Sequence, residues 1–344
     1  MADIHIRVEG KAGRITLNRP QALNAMTYAM CNDIKAAIDA WRDDPEVALV
    51  VIDAIGEKAF CAGGDIQQLY DTGIAGDFAF GQTFWADEYG LNVKIAQYPK
   101  PYVALMQGFT MGGGVGISCH GSHRIVGESS RIAMPECGIG LVPDVGGSWL
   151  LAQAPGYLGD YLGLTAARMG PGDAIFAGFA DRYVPLVNWP ALIHDLEQSG
   201  DVAALDEYVR TAPESKMAMQ LDDINALFAA GDLVEISAAL KAVSGDFATE
   251  TLKAISRNAP LSMAVALETL RRLRADGGIR KALRLEYRFT ARSMQHGDFL
   301  EGIRAAIIDK DRNPRWKHQI DQVSAQDVAF MLSSLGDMEL KLAE

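Results

Sequence analysis

Two acidic residues lie in a segment made otherwise of apolar residues, glycine, proline and cysteine. The segment from Met134 to Gly147 has the sequence MPECGIGLVPDVGG and places Glu136 and Asp144 eight residues apart. A carboxylate in low-dielectric surroundings has a shifted pKa and becomes a candidate base or nucleophile. The prolines and glycines exclude one continuous helix, so the loop could direct both acids toward one pocket. The alternative is structural, with Glu136 starting a helix after Pro135 and Asp144 capping the next one.

Two glycine-bearing segments each follow a predicted buried strand. KAFCAGGD extends from Lys58 to Asp65, and QGFTMGGGVG extends from Gln107 to Gly116. Each segment could present unpaired N–H groups at a helix start, where the helix dipole favours a developing negative charge. Two converging N–H groups would form an oxyanion hole. The alternatives are close packing of helix on strand and dinucleotide binding, but no GxGxxG lies in the βα turn near the N-terminus.

The elements that must position these residues follow from periodicity. Polar and apolar residues alternate over residues 4–8 and 15–17, which predicts a β-hairpin. Apolar spacings of three and four predict a helix that Asn24 or Thr27 caps and that extends to Trp41. Apolar runs at 47–52 and 102–106, with a further candidate at 124–127, predict strands of a parallel sheet. Residues 1–190 are therefore predicted to form an α/β domain.

After about Trp189 the pattern changes to long helical repeats rich in Ala, Leu, Lys and Glu. The clearest helical patterns cover residues 261–274 and 278–295. We therefore expect a second domain, a helical C-terminal region over residues 191–344.

Composition excludes several classes of protein. The 344 residues include 32 Lys and Arg against 44 Asp and Glu, a net charge of −12, which argues against nucleic-acid binding. The stretch 101–123 contains no Lys, Arg, Asp or Glu, but its glycines indicate a strand and turn, not a membrane span. The N-terminus has no basic and apolar export signal, and the four cysteines are too few for a disulfide framework. These features predict a soluble cytoplasmic protein.

Four motifs together resemble the crotonase, or enoyl-CoA hydratase/isomerase, superfamily. In chain order they are ITLNRPQALNAM, KAFCAGGDI, GFTMGGGVGIS and MPECGIGLVPDVGGSWLL, and they cover roughly residues 4–190. Further on, LRLEYR, HGDFLEGIRAAIIDKDRNPRW and SSLG resemble the C-terminal part of the 3-hydroxyisobutyryl-CoA hydrolases of this superfamily. The resemblance implies a crotonase-like ββα spiral core with a helical C-terminal region.

The resemblance also implies roles for individual residues. The N–H groups of Gly64 and Gly113 would hold a thioester carbonyl, with Glu136 and Asp144 as the catalytic acids. The hydratases carry a glutamate three residues after the second oxyanion glycine, but here that position is Gly116. Addition of water to an enoyl double bond by two carboxylates is therefore disfavoured.

Glu88 joins the expected site because WADEYGLN matches the EEYxLN segment of the hydrolases. In those enzymes the second glutamate of the segment lines the acyl pocket. Composition alone would instead make Glu88 a solvated acid on a helix.

The expected function is hydrolysis of a 3-hydroxyacyl-CoA thioester, 3-hydroxyisobutyryl-CoA above all, in valine breakdown. The alternatives are a hydratase or isomerase of the same fold and a non-catalytic acyl-CoA-binding protein. Glu136 would attack the thioester directly or activate water, and the resemblance favours attack. We expect no metal and no cofactor, since CoA is part of the substrate. The expected partner is the acyl-CoA alone, with no membrane and a possible homo-oligomer, as in related trimers and hexamers.

Other reactive residues carry weaker signals. His120 and His123 lack further residues at metal-ligand spacing, so core or loop histidines are expected there. Cys61 has no histidine nearby in the sequence and is expected to be a packing residue. The charged run from Asp309 to Arg315 is expected to be solvated surface.

Overall fold

The computed structural model describes residues 2–342 and divides the chain into two compact units, each assembled from three separate segments. Unit 1 comprises Met1–Asp65, Gly90–Ala133 and Arg168–Ala218, and unit 2 comprises Ile66–Tyr89, Met134–Ala167 and Met219–Glu344. The compact units are thus not consecutive along the chain. The division into domains at residue 190 stays a prediction.

Unit 1 contains nine strands. They are β1 Ile4–Glu9, β2 Ala12–Leu17, β3 Leu49–Ala54, β4 Ala59–Cys61, β5 Tyr102–Met106, β6 Phe109–Met111, β7 His123–Val126, β8 Arg131–Ala133 and β9 Arg182–Tyr183. Six strands form one sheet in the order β1-β2-β3-β5-β7-β9, and three form a second sheet in the order β4-β6-β8. Among the strand pairs within residues 2–342, only β1 and β2 pair antiparallel, as the predicted hairpin, and the other strand pairs are parallel.

Sixteen α-helices are present within residues 2–342. They are α1 Tyr28–Trp41, α2 Gln67–Ile74, α3 Phe78–Ala96, α4 Gly113–Ser118, α5 Gly147–Gln153, α6 Leu158–Thr165, α7 Pro171–Phe176, α8 Trp189–Ser199, α9 Lys216–Met219, α10 Leu221–Phe228, α11 Leu233–Ala242, α12 Asp246–Ile255, α13 Pro260–Ala275, α14 Ile279–Ser293, α15 Phe299–Ile303 and α16 Ala325–Met331. A π-helical turn, Arg304–Ile308, continues α15. Short 3-10 turns lie at Pro20–Ala22, Glu136–Ile139, Leu186–Asn188, Val202–Glu207, Ile320–Gln322 and Gly336–Met338.

Along the chain the two sheets alternate. A strand of the large sheet, a strand of the small sheet and a helix follow one another three times, as β3-β4-α2, β5-β6-α4 and β7-β8-α5. The predicted α/β fold with parallel strands is therefore confirmed, and its repeating unit is ββα.

The core of unit 1 lies on the large sheet. Strand β5 and most of β3 are buried, because apolar residues fill consecutive positions and both faces of the sheet are covered. Strand β2 is buried as well, although polar residues alternate with apolar ones, and its Arg14 pairs with Asp53 and Glu197. On one face, Trp189, Leu192 and Leu196 of α8 pack against side chains of β3, β5 and β7. The stretch 101–123, which contains no Lys, Arg, Asp or Glu, divides into β5, β6 and α4 and ends at the first residue of β7. No helix within residues 2–342 is long and apolar enough to cross a membrane.

The first helix shows which of its two predicted caps is used. The Thr27 hydroxyl accepts a hydrogen bond from the N–H of Met30 at 3.2 Å, so Thr27 is the N-cap of α1. Asn24 instead adopts a left-handed φ of 54°. Its side-chain amide donates to the carbonyls of Ile55 and Ala59. The asparagine therefore fixes the loop before the helix.

Unit 2 is helical in its regular structure. The long helix α13 is largely buried and contacts α5, α6, α14 and α16. The helices predicted over residues 261–274 and 278–295 are confirmed as α13 and α14, with bounds that differ by two residues or fewer.

Candidate active site

Six carboxylic acids are buried among the described residues of unit 2. Two of them have structural partners, since Asp160 pairs with Arg274 and Asp298 accepts from the N–H of Lys317. The other four are coupled to one another through their charges. Glu88, Glu136, Asp144 and Glu286 are between 1 and 5% exposed. The ion pairs described within residues 2–342 include none of the four. A buried acid without a cation is costly to ionise, so this group is a candidate catalytic centre.

Asp144 is held by a hydrogen bond from a buried phenol. The hydroxyl of Tyr89 donates to Oδ2 of Asp144 at 2.7 Å, and the main-chain carbonyl of Asp144 accepts from the N–H of Gly147. The N-cap of α5 is Gly146, which has no side chain to serve as a cap. The side chain of Asp144 is therefore not used for helix capping, which was the structural alternative.

Glu136 begins the 3-10 turn that follows Pro135, as the structural alternative anticipated. Its carboxyl group accepts from its own N–H, which lowers its pKa, but one of the two carboxyl oxygens takes no part in the turn. Within the described part of the chain, Oε2 of Glu136 is buried and has no hydrogen-bond partner. A buried oxygen without a partner costs free energy, so it is a group that a substrate or water could satisfy.

Glu286 on α14 binds the backbone just after Asp144. Its Oε2 accepts from the N–H of Gly146 at 2.9 Å, and its Oε1 accepts from both the N–H and the hydroxyl of Ser148. Between these residues and Asp144 lies Val145, which has a left-handed φ of 53°. A β-branched residue in this region stores about 1–3 kcal/mol of strain and needs surrounding contacts to hold it.

Burial raises the pKa of every acid in the group, and the charge of Asp144 raises the pKa of the other three further. For Glu88 and Glu136, desolvation is the larger cause and the charge of Asp144 the second. Desolvation raises the pKa of Asp144 to about 7, against the hydrogen bond from Tyr89. Desolvation raises the pKa of Glu286 to about 8, although the hydrogen bonds from Ser148 and Gly146 lower it. The acids therefore cannot all ionise together near neutral pH.

Gly64, in unit 1, follows the strand β4 and forms a parallel bridge to Met26. The bridge uses the carbonyl of Gly63, which accepts from Met26, and the N–H of Asp65, which donates to Met26. In a parallel bridge of this kind the N–H of the central residue points to the other side. The N–H of Gly64 is therefore directed away from Met26.

Gly113 follows β6 and is the first residue of α4, where the helix offers no acceptor for its N–H. Since β4 and β6 are adjacent and parallel, Gly64 and Gly113 lie beyond the same edge of the small sheet. The neighbouring glycines have steric roles as well. Gly112 has a φ of 49°, and a Cβ on Gly114 would lie 2.4 Å from the carbonyl oxygen of Cys61. Close packing therefore explains part of the glycine run.

The weaker candidates lie in ordinary environments. His123 is half-buried, and desolvation lowers its pKa. All four cysteines are buried. Within residues 2–342 there is no group of three or more His, Cys, Asp or Glu side chains placed to hold a metal ion.

A cavity of about 550 Å³ in unit 2 contains none of the four coupled acids. Its lining includes three arginines, but each is paired. Arg271 and Arg272 share Glu268, and Arg274 pairs with Asp160. We therefore assign the chemistry to the buried carboxylates and not to this cavity.

Sequence reasoning missed Tyr89 and Glu286. Glu286 lies one helical turn from Ala282 and Thr290, which are both buried on α14. An acid on the apolar stripe of a predicted helix was the signal that could have found it. Tyr89 directly follows Glu88, but nothing in its spacing distinguishes it from a packing residue.

Comparison with known proteins identifies the family. The sequence model of the enoyl-CoA hydratase/isomerase family matches residues 12–332. The chain belongs to this family. It is also 59% identical to a solved structure from Rhodobacter sphaeroides 2.4.1 titled an enoyl-CoA hydratase, with a TM-score of 0.96 and coverage of 99% of this chain and 100% of that one. A Mycobacterium thermoresistibile structure titled a carnitinyl-CoA dehydratase is 38% identical, with a TM-score of 0.95 and 99% coverage of both chains. The predicted crotonase-like fold is confirmed.

Curated relatives carry a different name. A Gallus gallus protein is 40% identical over 99% of this chain and 91% of its own length, and a Xenopus tropicalis protein is 41% identical over 97% and 89%. Both are named 3-hydroxyisobutyryl-CoA hydrolase, mitochondrial. These names contradict the prediction of a cytoplasmic location, which is therefore wrong. It rested on the missing export signal, and a mitochondrial protein also lacks an export signal.

The buried acids predict how stability depends on pH. The pKa of Asp144 rises from 3.8 to about 7 on folding. Its contribution to the free energy of unfolding is therefore fully present below about pH 4 and is lost as the pH rises through about 7. Glu286 acts in the same direction, with its pKa at about 8. We expect the free energy of unfolding, measured by urea denaturation, to fall between pH of about 5 and about 8.

The Asp144→Asn variant should show a shallower fall, because it lacks one of the titrating groups. Asp337→Asn removes an exposed acid and should keep the wild-type slope. A wild-type stability that rises over this pH range would contradict burial of the acids.

Proposed function

We propose that this protein hydrolyses a short-chain 3-hydroxyacyl-CoA thioester, with 3-hydroxyisobutyryl-CoA as the first candidate and valine breakdown as its context. The observation that carries the proposal is that the catalytic acids available are Glu136 and Asp144, while position 116 is glycine. The names of the Gallus gallus and Xenopus tropicalis relatives support it.

A hydratase is the second candidate, because the Rhodobacter sphaeroides structure carries that title. Hydration of an enoyl double bond needs one group to deliver water and another to protonate the neighbouring carbon. Gly116 is buried within α4 and has no side chain to supply either. This absence of an acid favours thioester hydrolysis.

In the proposed reaction the N–H groups of Gly64 and Gly113 bind the thioester oxygen as negative charge develops on it. Preorganised donors of this kind supply a large catalytic term, since removing one costs about 10²- to 10³-fold in rate. The reaction needs no metal and no redox cofactor.

Glu136 is the proposed nucleophile. Its carboxylate attacks the carbonyl carbon, the carbon–sulfur bond breaks, and CoA leaves as the thiolate. Water then cleaves the mixed anhydride, which releases the 3-hydroxy acid and restores Glu136. Burial raises the pKa of Glu136, so less of it is ionised near neutral pH, but the ionised form is poorly solvated and therefore more reactive.

Asp144 is proposed to hydrogen-bond the 3-hydroxyl of the substrate or the attacking water, and Glu88 to line the acyl pocket. Asp144 is suited to this role because Tyr89 engages one of its oxygens and fixes its orientation. Glu88 is 3% exposed, which excludes the solvated helix acid that composition alone suggests.

Release of free thiol from a panel of CoA esters tests the function. We expect turnover of both 3-hydroxyisobutyryl-CoA and 3-hydroxypropionyl-CoA. These substrates differ by one methyl group, which changes transition-state binding by about 1–3 kcal/mol. Glu136→Gln should lose at least about 10²-fold, whereas Asp337→Asn should match the wild type. Loss of the enoyl absorbance of crotonyl-CoA without thiol release would instead identify a hydratase. Binding of CoA esters without any turnover would identify a scaffold.

Trapping with hydroxylamine tests the nucleophilic role of Glu136. Hydroxylamine attacks a mixed anhydride and, at the protein carbonyl, leaves a hydroxamate on the peptide that carries Glu136. Single turnover in ¹⁸O-labelled water should place label in the same peptide if water attacks that carbonyl. Mass analysis that finds neither product under single-turnover conditions would indicate a general base in place of a nucleophile.

Asp144→Asn tests recognition of the hydroxyl group. The variant should lose more in kcat/KM on 3-hydroxyisobutyryl-CoA than on isobutyryl-CoA, by about tenfold, since a hydrogen bond to a charged group is worth about 1.5–3 kcal/mol. Equal losses on both esters would remove this role from Asp144.

A further inference from the structure

The loop that carries Asp144 is held from a distant helix. One carboxyl oxygen of Glu286, on α14, accepts a hydrogen bond from the N–H of Gly146. The other oxygen accepts from the N–H and the hydroxyl of Ser148. Because each oxygen meets a different part of the backbone, the carboxyl group fixes both the position and the rotation of this loop.

The loop needs such a constraint. Val145, directly after Asp144, has a φ of 53°, a conformation that a β-branched side chain resists. The contacts of Glu286 to Gly146 and Ser148 hold the backbone directly after Val145, so they help to keep this φ. Asp144 is bonded through one peptide to Val145, so its position depends on the same backbone.

The same helix also supports the donor to Asp144. Tyr287 follows Glu286 and packs its ring edge against the ring of Tyr89, with 6.3 Å between the ring centroids. Tyr89 in turn donates to Asp144 at 2.7 Å. Helix α14 thus contacts both the backbone next to Asp144 and the phenol bound to its side chain.

We propose that Glu286 is a positioning residue. By binding the amides of Gly146 and Ser148, Glu286 sets the orientation of the Asp144 carboxylate. This inference rests on the proposed function for the role of Asp144. Glu286 itself does not touch the substrate. Its effect is transmitted through the loop between Asp144 and Ser148.

Glu286→Gln is the decisive variant. Glutamine keeps the shape but replaces one acceptor oxygen by an NH₂ donor, which then faces the N–H of Gly146 or the N–H of Ser148. The variant should lose about tenfold more in kcat/KM on 3-hydroxyisobutyryl-CoA than on isobutyryl-CoA, as Asp144→Asn does. Combining it with Asp144→Asn should add little further selectivity. Equal losses on both esters, with an additive double variant, would assign Glu286 a merely structural role and overturn the proposal.

Glu339→Gln is the matched control. Glu339 forms an ion pair at 2.7 Å with Arg288, which lies on α14 like Glu286. The substitution therefore changes an acid that contacts α14 but does not contact the loop of Asp144. It should leave the ratio of the two activities unchanged. A change in that ratio as large as the change in Glu286→Gln would show that any disturbance of α14 has this effect.

Hydrogen exchange tests, without any measurement of activity, whether Glu286 holds the loop. Amides of the segment 145–149 should exchange faster in Glu286→Gln than in the wild type, while Glu339→Gln should leave them protected. Unchanged protection in Glu286→Gln would overturn the proposal. If the wild type releases no thiol but the exchange difference between wild type and Glu286→Gln is observed, the proposed function is contradicted, while the role of Glu286 in holding the loop remains supported.

Ser148→Ala serves where Glu286→Gln does not fold. It removes one hydroxyl donor to Glu286 and retains both backbone amides. It should shift the activity ratio and the exchange of the loop in the same direction by a smaller factor. A Ser148→Ala variant with wild-type values in both measurements would contradict the proposal.

Discussion

The burial of four carboxyl groups without a cation is the constraint on which the candidate site depends. Glu88, Glu136, Asp144 and Glu286 are all nearly inaccessible to solvent, and desolvation raises the pKa of each. Replacing them by apolar residues of similar size would relieve this penalty. Their presence in the fold therefore indicates a requirement other than stability, and a substrate that needs attack at a carbonyl supplies one.

The hydrogen bonds around these acids separate them into two kinds. Asp144 and Glu286 are engaged by donors from Tyr89, Gly146 and Ser148. Glu136 has one buried oxygen that accepts no hydrogen bond from any described residue. An acid with satisfied oxygens is suited to orient other groups, whereas one with an unsatisfied oxygen is suited to react. The arrangement of donors thus agrees with different proposed roles for these carboxylates.

Much of the scaffold could be predicted from the sequence, because periodicity reports burial. The β1–β2 hairpin, the buried strands β3 and β5 and the helices α13 and α14 all have clear patterns over five or more residues. The strands β4, β6 and β8 have only three residues each, which is too short for a period of two to be recognised. The second sheet was therefore missed, although the glycine motifs next to it were found.

Within the site, Glu136 and Asp144 could be found because acids are conspicuous in an apolar, glycine-rich segment. Glu286 is far from them in the sequence, and its role depends on backbone amides that carry no sequence signal. The division into interleaved units was hidden for the same reason. Contacts between segments more than 100 residues apart cannot be derived from local spacing.

The separation of Glu286 from its loop has a consequence for synthesis. The carboxyl group and the Gly146 amide that it binds are 140 residues apart along the chain. A ribosome that adds about 5–20 residues per second needs roughly 7–28 s to cover that distance. During this interval the strained turn at Val145 has no partner from α14. The nascent chain therefore carries its catalytic loop without these contacts until its last fifth emerges, and a product truncated before α14 lacks them permanently.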